Sequence, residues 1–159
     1  MRKTYISIFS LAILFLIIYS FLAMPKNIDK TYTGIAYKEN DSSFQKDVIV
    51  KLQGVYNKKS KVFQGKLFFN DLEYTNCILS SFTTWICYID GNRYLMGNFY
   101  LDEDLEQMTF IIQNEELYKS LSNEDIGIDR LIVSAPAVDR ASAKEIKDKL
   151  QQYGVIGKP

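Results

Sequence analysis

The spacing of apolar side chains between residues 31 and 113 constrains the fold of this 159-residue chain more than any other feature. In residues 47–55, Val48, Val50 and Leu52 lie on one face of an extended chain, and Lys51 lies on the other. A period of two is typical of a β-strand with one buried face. The same period predicts strands at residues 62–69, 73–79, 84–89, 93–100 and 107–113, and a weaker one at 31–38.

Short polar turns separate these strands, which indicates that neighbours along the chain pair antiparallel. The Asp90-Gly91 turn is the strongest signal, because a type I′ turn needs a positive φ at both central positions. Gly54, Gly65 and Gly97 interrupt strand patterns, which indicates bulges or close backbone contacts. We therefore expect an antiparallel β-meander that forms a curled sheet.

The chain changes period after residue 113. Asn114 is placed to cap a short helix over residues 114–121, because a side-chain oxygen there can accept from a free backbone N–H. Residues 131–135 (LIVSA) predict a short apolar strand that Pro136 ends.

A helix is predicted at the end of the chain. Ser142 and Glu145 have the spacing of a capping box, which predicts Ser142 as the N-cap. Ala143, Ile146 and Leu150 then share one helical face. We expect this face to cover the sheet, which gives a strand–helix unit packed on a meander.

The N-terminal segment is charge-free from Tyr5 to Met24 and is followed by Pro25. About twenty helical residues cover roughly 30 Å, the thickness of a bilayer's hydrocarbon core. The run predicts an uncleaved signal anchor, so that one transmembrane helix holds a C-terminal domain outside the cell membrane. A signal peptide cleaved after Ala23, which gives a secreted protein, and a buried core helix are the alternatives.

These patterns together predict a fold class and a domain organisation. The fold class is α+β: an N-terminal transmembrane helix, a curled antiparallel β-meander and a C-terminal strand–helix unit. The anchor covers residues 1–25, a juxtamembrane segment with room for a first strand covers 26–44, and the extracytoplasmic domain covers 45–159.

The composition excludes several classes of function. Nineteen basic and nineteen acidic side chains give a formal net charge of zero, which argues against a nucleic-acid partner. The chain has no histidine, which excludes a His-dependent triad and an imidazole metal site. Two cysteines are too few for a four-thiolate site. We therefore predict no metal ion, no cofactor and no catalytic residue.

Cys77 and Cys87 lie on two strands joined by a turn near Phe82. In that hairpin a position i pairs with 164 − i, so the two cysteines lie directly opposite each other. A cross-strand disulfide and two buried free thiols are both compatible with this register. The spacing is not that of a CxxC redox motif.

The acidic run of residues 102–106 is a candidate site for carboxylate chemistry through Asp102, Asp104 or Glu106. Its carboxylates are consecutive rather than spaced around a loop, so a charged turn is favoured over a calcium site. A second acidic segment, residues 123–129, has the same two interpretations.

Aromatic side chains cluster around one hairpin. Trp85, Tyr88, Tyr94 and Tyr100 are candidates for a surface that binds a glycan, a peptide or a protein. The competing interpretation is ordinary packing within and across the strands.

Two segments carry a resemblance to a known group of proteins: residues 50–74 (VKLQGVYNKKSKVFQGKLFFNDLEY) and residues 132–150 (IVSAPAVDRASAKEIKDKL). The chain resembles small membrane-anchored extracytoplasmic proteins of bacilli and related Gram-positive bacteria. The resemblance implies a signal anchor, a β-meander and a C-terminal strand–helix unit. It implies no catalytic residue. The chain departs from the pattern by reading Ser134-Ala135-Pro136-Ala137 in place of Ser-Pro-Ala.

The function predicted from these features is that of a membrane-anchored extracytoplasmic binding or accessory domain without enzymatic activity. Its partners are the lipid bilayer, through the N-terminal helix, and another envelope protein or a wall polymer. One alternative is a small carboxylate-dependent hydrolase or modifying enzyme of the cell wall. Another is a secreted interaction protein formed by signal cleavage.

Overall fold

The computed structural model describes residues 24–80, 83–102 and 104–156. Eight strands and two helices lie in these ranges. The strands are β1 (Lys26–Lys38), β2 (Gln45–Asn57), β3 (Val62–Phe69), β4 (Leu72–Ser80), β5 (Thr83–Ile89), β6 (Asn92–Leu101), β7 (Met108–Ile112) and β8 (Leu131–Ala135). Helix α1 (Glu115–Ser122) lies between β7 and β8, and helix α2 (Arg140–Ile156) follows β8.

The eight strands form a closed antiparallel barrel in chain order. Strand β8 closes the barrel, because it pairs with β7 on one side and with β1 on the other. The β1–β8 pairing extends from Ile35 opposite Ser134 to Lys38 opposite Leu131. The predicted α+β class with a curled meander is therefore wrong, and the fold is mostly β. Alternation specifies which face of each strand is buried, but it does not specify which strand the first one pairs with.

Strand β1 is part of this barrel over all of its length. Twelve of its residues, Lys26 to Tyr37, pair with β2. The segment predicted as juxtamembrane therefore contributes a wall of the barrel.

The interior of the barrel is filled by large side chains. Inward positions carry apolar residues that are fully buried, and three rings contact Phe110: Phe69 at 5.1 Å, Trp85 at 5.3 Å and Phe99 at 4.8 Å between ring centroids. An eight-stranded barrel is just wide enough for side chains to fill it. The interior is accordingly a packed core.

Both ends of the barrel are closed by connecting segments. Leu117, Tyr118 and Leu121 of α1 join the interior cluster at one end, and Leu105 of the β6–β7 turn joins it from the other. Asn114 caps α1 by accepting from the backbone N–H of Leu117 at 2.9 Å, which confirms the predicted N-cap.

Helix α2 packs against the outside of the barrel, where it contacts β1, β6, β7 and β8. Ala143, Ile146 and Leu150 form its buried face, as the helical spacing predicts. The predicted N-cap is wrong by three residues, because Asp139 accepts from the backbone N–H of Ser142 at 2.8 Å and the helix begins at Arg140. Aspartate and serine are equally favoured as N-caps, so the sequence alone did not distinguish Asp139 from Ser142.

Among the residues that the structure describes, no helix is long and apolar enough to cross a membrane. This finding contradicts the predicted transmembrane helix and, with it, the predicted single-pass localisation. The charge-free run on which the prediction was based lies outside the described residues, except for its last residue, Met24.

We predict that Gly97→Ala disrupts the barrel. Gly97 has φ 145°, and a Cβ there would lie 1.9 Å from the carbonyl oxygen of Ile111 on β7. The variant should lose more than about 2 kcal/mol of unfolding free energy in urea denaturation. Gly127→Ala is the control, since a Cβ at Gly127 meets nothing within 4 Å. Equal stability of the two variants would contradict this account of the β6–β7 pairing.

We predict that Arg140→Lys loosens α2 from the barrel. The Arg140 guanidinium donates to the backbone carbonyls of Lys38, Asp41 and Phe44, and a lysine cannot reach these acceptors together. The expected loss is about 1.5–3 kcal/mol in urea denaturation. Arg130→Lys should change stability by less than about 0.5 kcal/mol, because Arg130 is exposed and only 3.7 Å from Glu39. A loss no larger in Arg140→Lys than in Arg130→Lys would refute the anchoring role.

Candidate functional site

The four candidate aromatic residues do not form one surface. Trp85 is fully buried in the barrel, which corrects its assignment to a binding surface. Tyr100 is half-buried and packs against the residues under α2. Tyr88 and Tyr94 are 36% and 41% exposed. Only these last two are available to a ligand.

Tyr88 and Tyr94 point to opposite faces of the β5–β6 hairpin. Directly paired residues of an antiparallel sheet share a face, and successive residues alternate. Tyr94 pairs with Cys87, which is buried, whereas Tyr88 pairs with the exposed Arg93. Tyr88 therefore belongs to the outer wall and Tyr94 does not.

Cys77 and Cys87 lie directly opposite each other on β4 and β5. This register is the one predicted from the hairpin, although the turn residues 81 and 82 lie outside the described residues. The structure joins the two sulfur atoms in a disulfide, with 4.0 Å between the Cα atoms. Both side chains are buried.

The acidic turn between β6 and β7 is held by lysines. Asp104 pairs with Lys58 at 2.7 Å and Glu106 pairs with Lys30 at 3.0 Å, while both carboxylates remain about 70% exposed. The hydrogen bond from Lys58 lowers the pKa of the Asp104 carboxyl. A general acid needs the opposite shift. The Asp102 carboxylate accepts from the backbone N–H of Glu106, so it shapes the turn.

The carboxylates of the second acidic segment, residues 123–129, are also paired with lysines or with backbone N–H groups. Glu124 pairs with the buried Lys38 at 2.5 Å, and Asp125 pairs with Lys119 at 2.8 Å. Asp129 accepts from the backbone N–H of Asn40. Within the described ranges there is no group of three or more acidic, histidine or cysteine side chains that could hold a metal ion.

A groove on the outer wall was not predicted. It crosses β3, β4 and β5 and has a volume of about 600 Å³. Its lining consists of Gln64, Gly65, Asn76, Cys77, Ile78 and Tyr88. The volume falls within the usual range of small-ligand sites.

A register shift between β3 and β4 shapes the groove. Gly65 pairs with Cys77 and Leu67 pairs with Tyr74, so two residues of β4 lie opposite Lys66 alone. One of these two is Asn76, which has φ 51°. A bulge bends the strand that carries it and re-aims a side chain. The glycine inside the strand pattern was the only sequence signal for this feature.

Two glycines form the bare part of the wall beside the groove. Gly54 and Gly65 pair across β2 and β3, and a Cβ on either one would lie within 2.3 Å of a backbone oxygen of the other strand. The two strands can approach this closely only because both residues lack a side chain.

The polar groups of the groove have no hydrogen-bond partner among the described residues. Within the part of the chain that the structure describes, the side chains of Gln64, Asn76 and Tyr88 make no hydrogen bond, and all three are exposed. The nearest charges on the adjoining strand positions are Lys66, which pairs with Glu73 at 2.6 Å, and Arg93. The groove thus presents two amides, a phenol and an apolar side chain without a formal charge.

A second, shallower depression lies on the outward face of α2. Its charged lining consists of two basic and two acidic side chains, Lys144, Glu145, Asp148 and Lys149. Lys149 also donates to the Gln107 side chain at 2.7 Å. This surface is typical of a solvated helix face.

Comparison of the chain with protein-family models, with curated proteins and with solved structures finds no match. The resemblance to small membrane-anchored proteins of Gram-positive bacteria therefore stays a prediction. The functional argument depends on the geometry of the chain itself.

We predict that the disulfide stabilises the β4–β5 hairpin. The two cysteines are ten residues apart. Closing a loop of this length lowers the conformational entropy of the unfolded chain, which raises the free energy of that state by about 2–3 kcal/mol at 25 °C. Urea denaturation of the wild-type chain should therefore show a loss of this size when a phosphine reductant is added. The double variant Cys77→Ala/Cys87→Ala should not respond to the reductant. Identical wild-type curves with and without reductant would show that the bond contributes no stability.

Proposed function

We propose that this domain is a non-enzymatic binding domain whose ligand lies in the outer groove of β3, β4 and β5. The observation that supports the proposal is the convergence of unpaired polar groups with a tyrosine ring in one uncharged groove. Ligand sites combine apolar and aromatic lining with a few placed polar groups that fix the orientation of the ligand.

The wall behind the groove is rigid, which favours binding. The Cys77–Cys87 disulfide links β4 to β5 next to the groove, and the Gly54–Gly65 contact fixes β2 against β3. A side chain on a constrained strand loses little freedom when a ligand orders it. The groove residues are therefore preorganised.

The chemistry of the lining supports binding without catalysis. The amides and the isoleucine supply contacts and hydrogen bonds, and the phenol of Tyr88 is the one group of the lining that can exchange a proton. No carboxylate, imidazole or thiolate accompanies it in the lining. The one sulfur atom in the lining is part of the disulfide. The carboxylates considered for a hydrolase, Asp102, Asp104 and Glu106, are bound to lysines or to backbone in a different turn.

The barrel interior is the other place where a small barrel can hold a ligand. Here the positions that face inward carry buried rings and leucines, among them Trp85, Phe63 and Phe99. These side chains fill the space that a ligand would need. The outer groove is accordingly the better site.

A binding panel with matched tyrosine variants tests this proposal. The full chain, Tyr88→Ala and Tyr94→Ala are each passed over immobilised neutral oligosaccharides, anionic polysaccharides and unstructured peptides. We expect the full chain and Tyr94→Ala to retain at least one class, and Tyr88→Ala to bind that class about tenfold more weakly. Both variants replace a similarly exposed tyrosine of the same hairpin, so a difference between them identifies the outer face.

The same panel provides the outcomes that contradict the proposal. Retention of no class, or equal retention by Tyr88→Ala, would exclude the groove as the binding site. Mass spectrometry of the eluted ligand should return it unchanged, and a new product would show that the domain is an enzyme.

A further inference from the structure

We infer that the groove takes an uncharged saccharide chain, an inference that rests on the proposed binding function and names its ligand class. Three properties of the lining lead to this class: its electrostatic neutrality, its pairing of a ring with side-chain amides, and its open shape.

The neutrality of the groove argues against a charged ligand. None of its six lining residues carries a formal charge. Two basic side chains lie beside the groove: Lys66 on β3 is occupied by Glu73 at 2.6 Å, and Arg93 on β6, which pairs with Tyr88, lies outside the lining. A phosphate, a sulfate or a carboxylate entering the groove would lose hydration without gaining an ion pair with its lining. A neutral ligand does not incur this cost.

The arrangement of the polar groups matches sugar hydroxyls. A hydroxyl donates one hydrogen bond and accepts others, and a side-chain amide offers an acceptor oxygen beside a donor nitrogen. Gln64 and Asn76 place two such amides on the outer wall, at β3 and at the bulge of β4. Both amides are unpaired within the described chain, so each is available to a hydroxyl pair.

Tyr88 supplies the surface that a sugar ring needs in addition to hydrogen bonds. A pyranose exposes C–H groups on its faces, which pack against the electron-rich face of an aromatic ring. Asn76 is adjacent to Cys77 on β4, Tyr88 is adjacent to its partner Cys87 on β5, and both residues line the groove. The groove therefore combines the ring of Tyr88 with the amide of Asn76, and Ile78 adds an apolar side chain.

The open shape of the groove favours a chain over a free monosaccharide. The groove lies across three strands of an exposed wall, and no described segment closes it. A saccharide chain can enter by an internal residue and continue beyond both ends. An enclosed pocket would have favoured a chain end.

Isothermal titration of the full chain with neutral tetrasaccharides tests the inference. The probes are cellotetraose, chitotetraose, maltotetraose and xylotetraose. We expect at least one of them to bind, and its affinity to change less than about twofold between 50 mM and 500 mM salt, because no ion pair forms. Binding of none of the four would overturn the inference.

Groove variants locate the bound tetrasaccharide. Tyr88→Ala should weaken binding about tenfold, and Tyr88→Phe should weaken it less because the ring remains. Asn76→Gly removes the amide while glycine keeps the positive φ, and it should weaken binding about fivefold. Tyr94→Ala should stay within about twofold of the wild type. Unchanged binding in both Tyr88→Ala and Asn76→Gly would place the sugar elsewhere and overturn the inference.

Failure of the ligand class can be distinguished from failure of the binding function. If an anionic polysaccharide or a peptide binds in a Tyr88-dependent manner while the four neutral probes do not, the saccharide inference is overturned and the binding function stands. Loss of that binding in Arg93→Gln, with a strong salt dependence, would identify an anionic ligand at the edge of the groove. If no class of the panel binds, both proposals fail.

Discussion

The pairing of β8 with β1 is the constraint on which the rest of this structure depends. Five residues, Leu131 to Ala135, complete the sheet, and every one of them is buried. Leu131, Val133 and Ala135 face the interior, while Ile132 lies under α2. A strand buried on both faces is nearly all apolar, and in LIVSA the one polar residue, Ser134, has its hydroxyl 2.9 Å from that of Thr109. Without this strand the large inward side chains of the other seven would lie against solvent.

Closure also determines where a function can be located. The interior is filled by side chains, the two ends are closed by α1 and by the β6–β7 turn, and α2 covers β1 and β6–β8. The open wall is therefore that of the middle strands, where the sheet is distorted at Gly65 and Asn76. The disulfide that links β4 to β5 beside this distortion preserves its shape. A rigid, uncharged groove is the consequence.

Local periodicity was sufficient to predict most strands, the register of the β4–β5 hairpin and the cap at Asn114. The Asp90-Gly91 turn has positive φ at both residues, as its sequence required. Contacts between residues far apart in the chain were not predictable, because no local pattern encodes them. These include the β1–β8 closure and the pairing of Lys30 and Lys58 with the acidic turn. The groove depends on a register shift between two strands, so Gly65 alone indicated a bulge without indicating a site.

The central claim is that ligand binding occurs on the outer wall while the interior stays filled. Nuclear magnetic resonance of the full chain, titrated with the tetrasaccharide that binds most tightly, tests it most directly. The account predicts that backbone amide shifts change mainly at Gln64, Asn76 and Tyr88 and hardly at inward residues such as Phe69 and Phe110. Shifts concentrated in the barrel interior, or in the turn of Asp102 and Glu106, would contradict it.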